Sequence, residues 1–222
     1  MTDTVQQGDF VQVEYNGYLA EDNSVFDTTD ENLAKQQNIH GKNSSYGPVT
    51  ICIGEHQLIK GIDEELVGKL IGSSHTFTLS PERAFGKKDA KLIQLIPTQK
   101  FMKEGIRPMP GMQITVDNML GVVKSVSGGR TLVDFNHPLS GRAVRYEVRV
   151  LKKISDPAAQ LQSYLQRTLQ LKTMVKLEGE KAMVEVPFEM PEELRGEYVQ
   201  RVQKLIPSIT SLQFIKTENT FK

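Results

Sequence analysis

Apolar and polar positions alternate from Asp9 to Tyr18, with Val11, Val13 and Tyr15 facing one way and Phe10, Gln12 and Glu14 the other, which is the period of a strand. Gly17 and Asp22-Asn23 mark turns. The polar stretch from Thr28 to Gly47 reads as a long loop with a helix-compatible segment from Glu31 to Gln37. Val49 to Ile53 returns to strand. Ile62, Leu66, Val67 and Leu70 then recur at helical spacing behind Asp63, Glu64 and Glu65, whose charges suit a first helical turn, and Gly72 reads as the stop. This predicts a short amphipathic helix ahead of a strand from His75 to Leu79.

The texture changes after Gly86. An apolar run from Leu92 to Ile96 is broken by Pro97, and a Pro-Met-Pro-Gly turn at 108–111 leads into strands at Gln113 to Val116, Gly121 to Val126 and Thr131 to Phe135. Gly128-Gly129 makes a hairpin turn. Residues 87–136 therefore form a second, β-rich unit. Arg142 to Ile154 alternates again and completes the first sheet, so the first domain, 1–86 with 137–154, is interrupted. In 155–222, Asp156-Pro157 caps a helix with Leu161, Leu165 and Leu169 on one stripe. A hairpin follows, with Ala182, Val184, Val186 and Phe188 alternating on its second strand, then a helix bearing Leu194, Tyr198, Val202 and Leu205, then a strand from Ile209 to Ile215: the order is α-β-β-α-β. The fold class is α+β.

Of the 222 residues 38% are hydrophobic and 24% charged, enough apolar surface for a packed core. Lysine plus arginine equals aspartate plus glutamate at 27 each, so no global field directs the chain toward nucleic acid or an anionic membrane. Cys52 stands alone and cannot form an internal disulfide, and the first residues lack the basic and apolar blocks of a signal peptide; a cytoplasmic protein is expected. No apolar run approaches the roughly 20 residues of a membrane helix. His40, His56, His75 and His137 lack close metal-binding spacing. Gly41-Lys42-Asn43-Ser44 lacks the leading glycine of a phosphate loop, with Gln36 in its place, and no nucleophile elbow occurs. No metal and no cofactor is expected.

Val49-Thr50-Ile51-Cys52-Ile53-Gly54-Glu55-His56-Gln57-Leu58-Ile59-Lys60-Gly61-Ile62-Asp63-Glu64-Glu65-Leu66 resembles the FKBP family of peptidyl-prolyl cis/trans isomerases, with its strand, turn and helix. Ser80-Pro81-Glu82-Arg83-Ala84-Phe85-Gly86 is similar to that family's S-P-x-x-A-[YF]-G signature, and Phe26-Asp27 to its F-D pair. The segment between Gly86 and Asn136-His137-Pro138-Leu139-Ser140-Gly141 resembles the insert-in-flap domain of the SlyD-type subfamily, and the third segment resembles archaeal long-type members. The resemblance implies an FKBP-type antiparallel sheet wrapped on a short helix, an inserted β-rich chaperone domain and a C-terminal α+β domain.

It also implies a prolyl pocket lined by Tyr15, Phe26, Asp27, Val49, Leu58, Ile59, Ile62, Phe85 and Tyr146, with Leu139 adding to the substrate contacts. The Ile59 N–H would fix a substrate carbonyl. Ile62 replaces a common tryptophan floor, and Phe85 lacks the hydroxyl of the usual tyrosine. On the residues alone, Phe26, Val49, Leu58 and Ile62 fit ordinary core and Asp27 fits a turn or cap; the family pattern points Asp27 into the cleft, bonded to Tyr15, and leaves Phe85 and Tyr146 half-exposed. Leu92, Ile93, Ile96, Phe101, Met102 and Met119 of the insert are the candidate client-binding surface, since methionine-rich apolar surfaces adapt to varied partners. The implied partners are unfolded or proline-containing polypeptides, and the implied activity is prolyl isomerisation joined to chaperoning. A holdase with weak or no isomerase activity is the alternative. The C-terminal segment could hold a homodimer, add a chaperone surface, or pack on the first domain.

Overall fold

The computed structural model describes residues 3–41, 44–171 and 173–217. In chain order the elements are β1 (Phe10–Leu19), β2 (Val25–Thr28), α1 (Glu31–Gln36), β3 (Val49–Cys52), α2 (Lys60–Leu66), β4 (Ser74–Leu79), β5 (Ile93–Pro97), α3 (Thr98–Lys103), β6 (Gln113–Val116), β7 (Met119–Ser127), β8 (Arg130–Asp134), β9 (Val144–Lys153), α4 (Pro157–Leu169), β10 (Met174–Glu178), β11 (Lys181–Val186), α5 (Glu192–Leu205) and β12 (Ser211–Lys216). They make a mixed α+β architecture of two compact units. One comprises the described residues up to Thr78 together with those from Arg145 onward; the other is Leu79–Val144.

In the first unit the sheet order is β2-β1-β9-β4, with β3 also paired to β1. Both β2 and β3 run antiparallel to β1: β3 takes its first half, Phe10 opposite Cys52 and Val13 opposite Val49, and β2 its second, Asn16 opposite Thr28. Alternation along β1 buries Val11, Val13, Tyr15 and Leu19, and β9 buries Val144, Tyr146, Val148 and Val150 in the same way. Ile62 and Leu66 of α2 join this buried set.

Phe10 and its register partner Cys52 are buried on the opposite face. They cluster there with Leu161, Tyr164 and Leu165 of α4, Ala182, Val184 and Val186 of β11, and Val202 and Ile206 of α5. The C-terminal segment therefore shares a core with the start of the first sheet. Asp156 caps α4 by accepting the Ala159 N–H at 2.9 Å. Arg201 of α5 makes a two-pronged ion pair with Glu55 at 2.6 and 2.7 Å. The hairpin β10-β11 is antiparallel, and β12 returns parallel to β11.

The second unit holds an antiparallel sheet ordered β5-β8-β7-β6 around Ile96, Phe101, Ile114, Val116, Val123 and Val133. Gly121 is required in β7. A Cβ there would stand 2.6 Å from Val133 Cγ1 and 2.7 Å from Phe135 Cδ1, so the Phe135 ring occupies the space that a side chain would fill. At the base of the unit the Gly141 N–H donates to the Gly86 carbonyl at 2.8 Å and Ser140 Oγ donates to the Phe85 carbonyl at 3.0 Å, joining the entering and leaving chains.

Four local expectations differ from the structure. Gly17 lies inside β1, where the pairing with β2 shifts register, and is not a turn. Helix α2 ends at Leu66; Gly68, at φ +80°, is the stop, and Val67 and Leu70 are exposed. Pro97 ends β5 as its break of the apolar run predicts, but a helix, α3, follows it directly, which the short segment gives no reason to expect. Phe188 lies beyond the end of β11.

Candidate functional site

The site begins with Gly17. Its missing side chain leaves room for two rings over β1: a Cβ there would meet Phe26 Cζ at 2.9 Å and Tyr146 Cε1 at 3.0 Å. Phe26, from β2, meets Tyr146, from β9, edge to face at 5.7 Å and 87°. Tyr15, two residues before Gly17 on the same face, lies 6.0 Å from Tyr146. Three strands thus deliver three aromatic side chains to one place, each held by edge or tilted contacts. Tyr146 is 1% exposed. The expectation of a half-exposed Tyr146 is corrected accordingly: β9 lies inside the sheet, between β1 and β4, and its alternate residues are buried.

Asp27 follows Phe26 and is half-buried. The nearby Tyr15 hydroxyl, the Thr28 N–H and the Arg167 guanidinium favour its charged form, yet burial outweighs them and raises its pKa above the ordinary carboxylate value. Burial likewise lifts the Tyr15 and Tyr146 hydroxyls well above the usual phenol range, and the Asp27 charge pushes both further. Neither tyrosine ionises near neutrality. The backbone around the pair is pinned by Thr29, whose Oγ1 accepts the Tyr15 N–H at 2.9 Å, and by the Thr28 hydroxyl on Asn16 Oδ1 at 2.5 Å.

Tyr15, Phe26, Asp27 and Val49 together line a cavity of about 390 Å³, with Thr28, Ile39, Tyr46 and Arg167 completing its wall. Leu58 and Ile59 do not line this cavity; they precede α2 and are half-buried, and Ile62 is buried in its first turn. Among the described residues no acceptor takes the Ile59 N–H. The turn before it is fastened by Asp63, which is 3% exposed and whose Oδ2 accepts the Gly54 and His56 N–H groups, each at 2.9 Å. Arg167 and Tyr46 were not expected in the site: one comes from the third segment, the other from a polar loop, and neither carries a motif.

Phe85 and Leu139 belong to the second unit. There Pro81 opens a short 3₁₀ turn, the Gly86 N–H donates to the Pro81 carbonyl at 2.7 Å, and the half-buried Phe85 ring stacks on His137 at 4.7 Å and 3°. Of the expected client-binding residues, Ile93, Met102 and Met119 are exposed and Leu92 is half-buried. Ile96 and Phe101 are corrected to core residues, because a unit this small needs its inward-facing apolar residues for its own packing. Met109, one of the insert's methionines, is 61% exposed, and Leu95 and Leu120, which no sequence signal marks, are exposed at 53% and 62%. Among the described residues, no group of three or more His, Cys, Asp or Glu side chains could hold a metal ion, and no helix is long and apolar enough to cross a membrane.

Comparison with known proteins gives the chain a lineage. Residues 2–103 match the family described as FKBP-type peptidyl-prolyl cis-trans isomerase, and residues 94–139 match the FKBP26 IF domain, the insert-in-flap module. The chain is 32% identical to a short-type peptidyl-prolyl cis-trans isomerase of Methanocaldococcus jannaschii over 150 residues, covering 68% of this chain and 94% of that one. It is 33% identical to an FKBP-type 16 kDa peptidyl-prolyl cis-trans isomerase of Escherichia coli over 115 residues, 50% of this chain and 76% of the relative. With SlyD of Helicobacter pylori it shares 28% identity over 139 residues, 60% and 68% of the two chains. The chain belongs to the FKBP-type peptidyl-prolyl cis-trans isomerase family and carries its insert-in-flap domain.

Two outcomes follow from the packing and the charge. Gly17→Ala is expected to displace the Phe26 and Tyr146 rings, lowering kcat/KM on a proline tetrapeptide by about tenfold or more, while costing about 1–3 kcal/mol of stability. Activity assays beside thermal melts check both. Asp27→Asn removes a carboxylate whose folded pKa is raised, so ionising that group costs stability and the cost appears as pH rises. The Tm of the variant minus that of the native chain is expected to grow as pH climbs through and above about 4 and to level off beyond; a difference shrinking over that window would contradict the assignment.

Proposed function

We propose that this chain catalyses rotation about X-Pro bonds at the Tyr15–Phe26–Asp27–Tyr146 cluster and that its insert holds the unfolded polypeptides that supply them. The three-ring cluster over Gly17 carries the reading. An X-Pro amide rotates over a barrier of about 18–20 kcal/mol because twisting sacrifices resonance. The planar amide is the more dipolar form and the better hydrated. An apolar enclosure withdraws that hydration and so favours the twisted form relative to the planar one. Each ~1.4 kcal/mol removed gives about tenfold in rate, so ~5 kcal/mol gives three to four decades.

The residues divide the work. Phe26 and Val49 supply the apolar part of the cavity wall, the buried Tyr146 packs on Phe26 and Ile62 is buried in α2, while Phe85 and Leu139 serve as substrate contacts of the second unit. Asp27 orients the Tyr15 hydroxyl. The Ile59 N–H holds a substrate carbonyl while the other side of the bond turns, and Leu58 packs beside it; that N–H having no acceptor among the described residues supports this role. No proton transfer is required, in keeping with tyrosine hydroxyls that burial keeps protonated.

Residues 1–86 with 137–154 act as the isomerase domain, 87–136 as the client-binding insert and 155–222 as a C-terminal domain. Exposed Ile93, Leu95, Met102, Met109, Met119 and Leu120 support the insert's role. Exposed Leu194 and Ile215 support a homodimer contact through the C-terminal domain. A free thiol pushed up to about 12 by burial fits work in the cytoplasm, where Cys52 stays reduced and unreactive. Excising the insert and joining Gly86 to Pro138 through a short glycine linker is expected to leave tetrapeptide isomerisation within about twofold. Catalysis of a proline-limited refolding reaction should fall at least tenfold, because the held chain loses its high effective concentration. Equal loss on both substrates would show that the insert only supports the fold, and no acceleration of either by the intact chain would leave a binding module.

A further inference from the structure

The cavity at Asp27 opens onto a second of about 520 Å³, and Ser45, Tyr46, Val49 and Arg167 line both. The second runs between the β3 edge and α4, so the C-terminal segment forms one of its walls, through Ser163, Gln166, Arg167 and Gln170. Its described lining includes no carboxylate, and Arg167 is its one formal charge. Asp27 faces only the first cavity. Arg167 is half-buried, and among the described residues no hydrogen bond or ion pair engages it. Gln57 also lines the second cavity; its Oε1 accepts the Cys52 N–H at 2.8 Å and its Nε2 is buried.

A polypeptide whose proline occupies the aromatic cluster must send a flanking strand out of the cavity. The second cavity offers such a strand the Arg167 guanidinium, which no hydrogen bond or ion pair engages among the described residues; Asp27, which feels its charge, stands in the first cavity. We propose that Arg167, carried on α4 of the C-terminal segment, selects polypeptides with an acidic residue flanking the proline. The selection rests on the proposed prolyl site and extends it; the C-terminal segment becomes part of substrate recognition.

The test measures binding and turnover separately on the full-length chain. Fluorescein-labelled octapeptides carry Glu, Leu or Lys on either side of a central proline; anisotropy gives Kd and exchange NMR gives the isomerisation rate. Native protein is expected to bind the Glu peptide about fivefold more tightly than the Lys peptide, the scale of replacing attraction by repulsion at a part-exposed pair. The ratio should shrink in high salt. Arg167→Ala should bring it to about one, Arg167→Glu should invert it and Arg167→Lys should keep most of it, with thermal melts reporting that each is folded. A ratio near one in native protein, or one that the Arg167 variants leave unchanged, overturns the inference. Charge-dependent binding lost in Arg167→Ala but without turnover supports the subsite and refutes isomerisation. Turnover with charge-blind binding does the reverse.

Discussion

Two aromatic rings resting on the bare backbone of Gly17 are the contact on which the cleft depends. The strands can bring Phe26 and Tyr146 together because β1 presents no Cβ beneath them, and the shift of register at the same residue fits the two strands to each other. Asp27 reaches the same cavity as Phe26 because strict alternation is broken there: Asp27 pairs with Gly17 and Val25 with Tyr18, which leaves Phe26 as the extra residue at the register shift. Its carboxylate meets Tyr15 on the adjacent strand and is held in a place where water is scarce. One absent side chain thus sets three rings and one buried charge.

The constraint also explains why the surrounding structure is so firmly fastened. A half-buried carboxylate above its ordinary pKa is a standing cost. The hydroxyls of Thr28 and Thr29, the Asp63 clasp on the turn before Ile59, and the core shared by Phe10, Cys52 and α4 hold the strands and the helix entry in register against it. The C-terminal segment is therefore continuous with the site's support: the same helix that buries Leu161 and Leu165 against β1 and β3 places Arg167 at the cavity.

Much of this was legible in the sequence. The alternation of β1, β3 and β9, the helix at Lys60–Leu66 and the α-β-β-α-β order of the last segment follow from period and capping signals, and the FKBP-type motifs name Phe26, Asp27 and Tyr15. What was not legible has physical reasons. A glycine inside a strand looks like a turn until its neighbours across the sheet are known, so Gly17 reads as punctuation in the sequence alone. Ile96 and Phe101 look like a binding surface because an inward and an outward apolar residue differ only in which face of β5 or α3 is covered. Arg167 lies more than a hundred residues from Asp27 and reaches it only through the packing of α4, which no local pattern encodes.

The central claim is that the bond turns because an apolar enclosure strips water from the planar amide, with no proton moving in the rate-limiting step. The most direct measurement is the solvent deuterium isotope effect on kcat/KM for a proline tetrapeptide, taken at matched positions on the pH profile. A ratio close to unity is the result this account requires. A ratio well above unity, abolished by Asp27→Asn in a folded variant, would mean that the Tyr15–Asp27 pair moves a proton to or from the amide, and the enclosure would then be secondary.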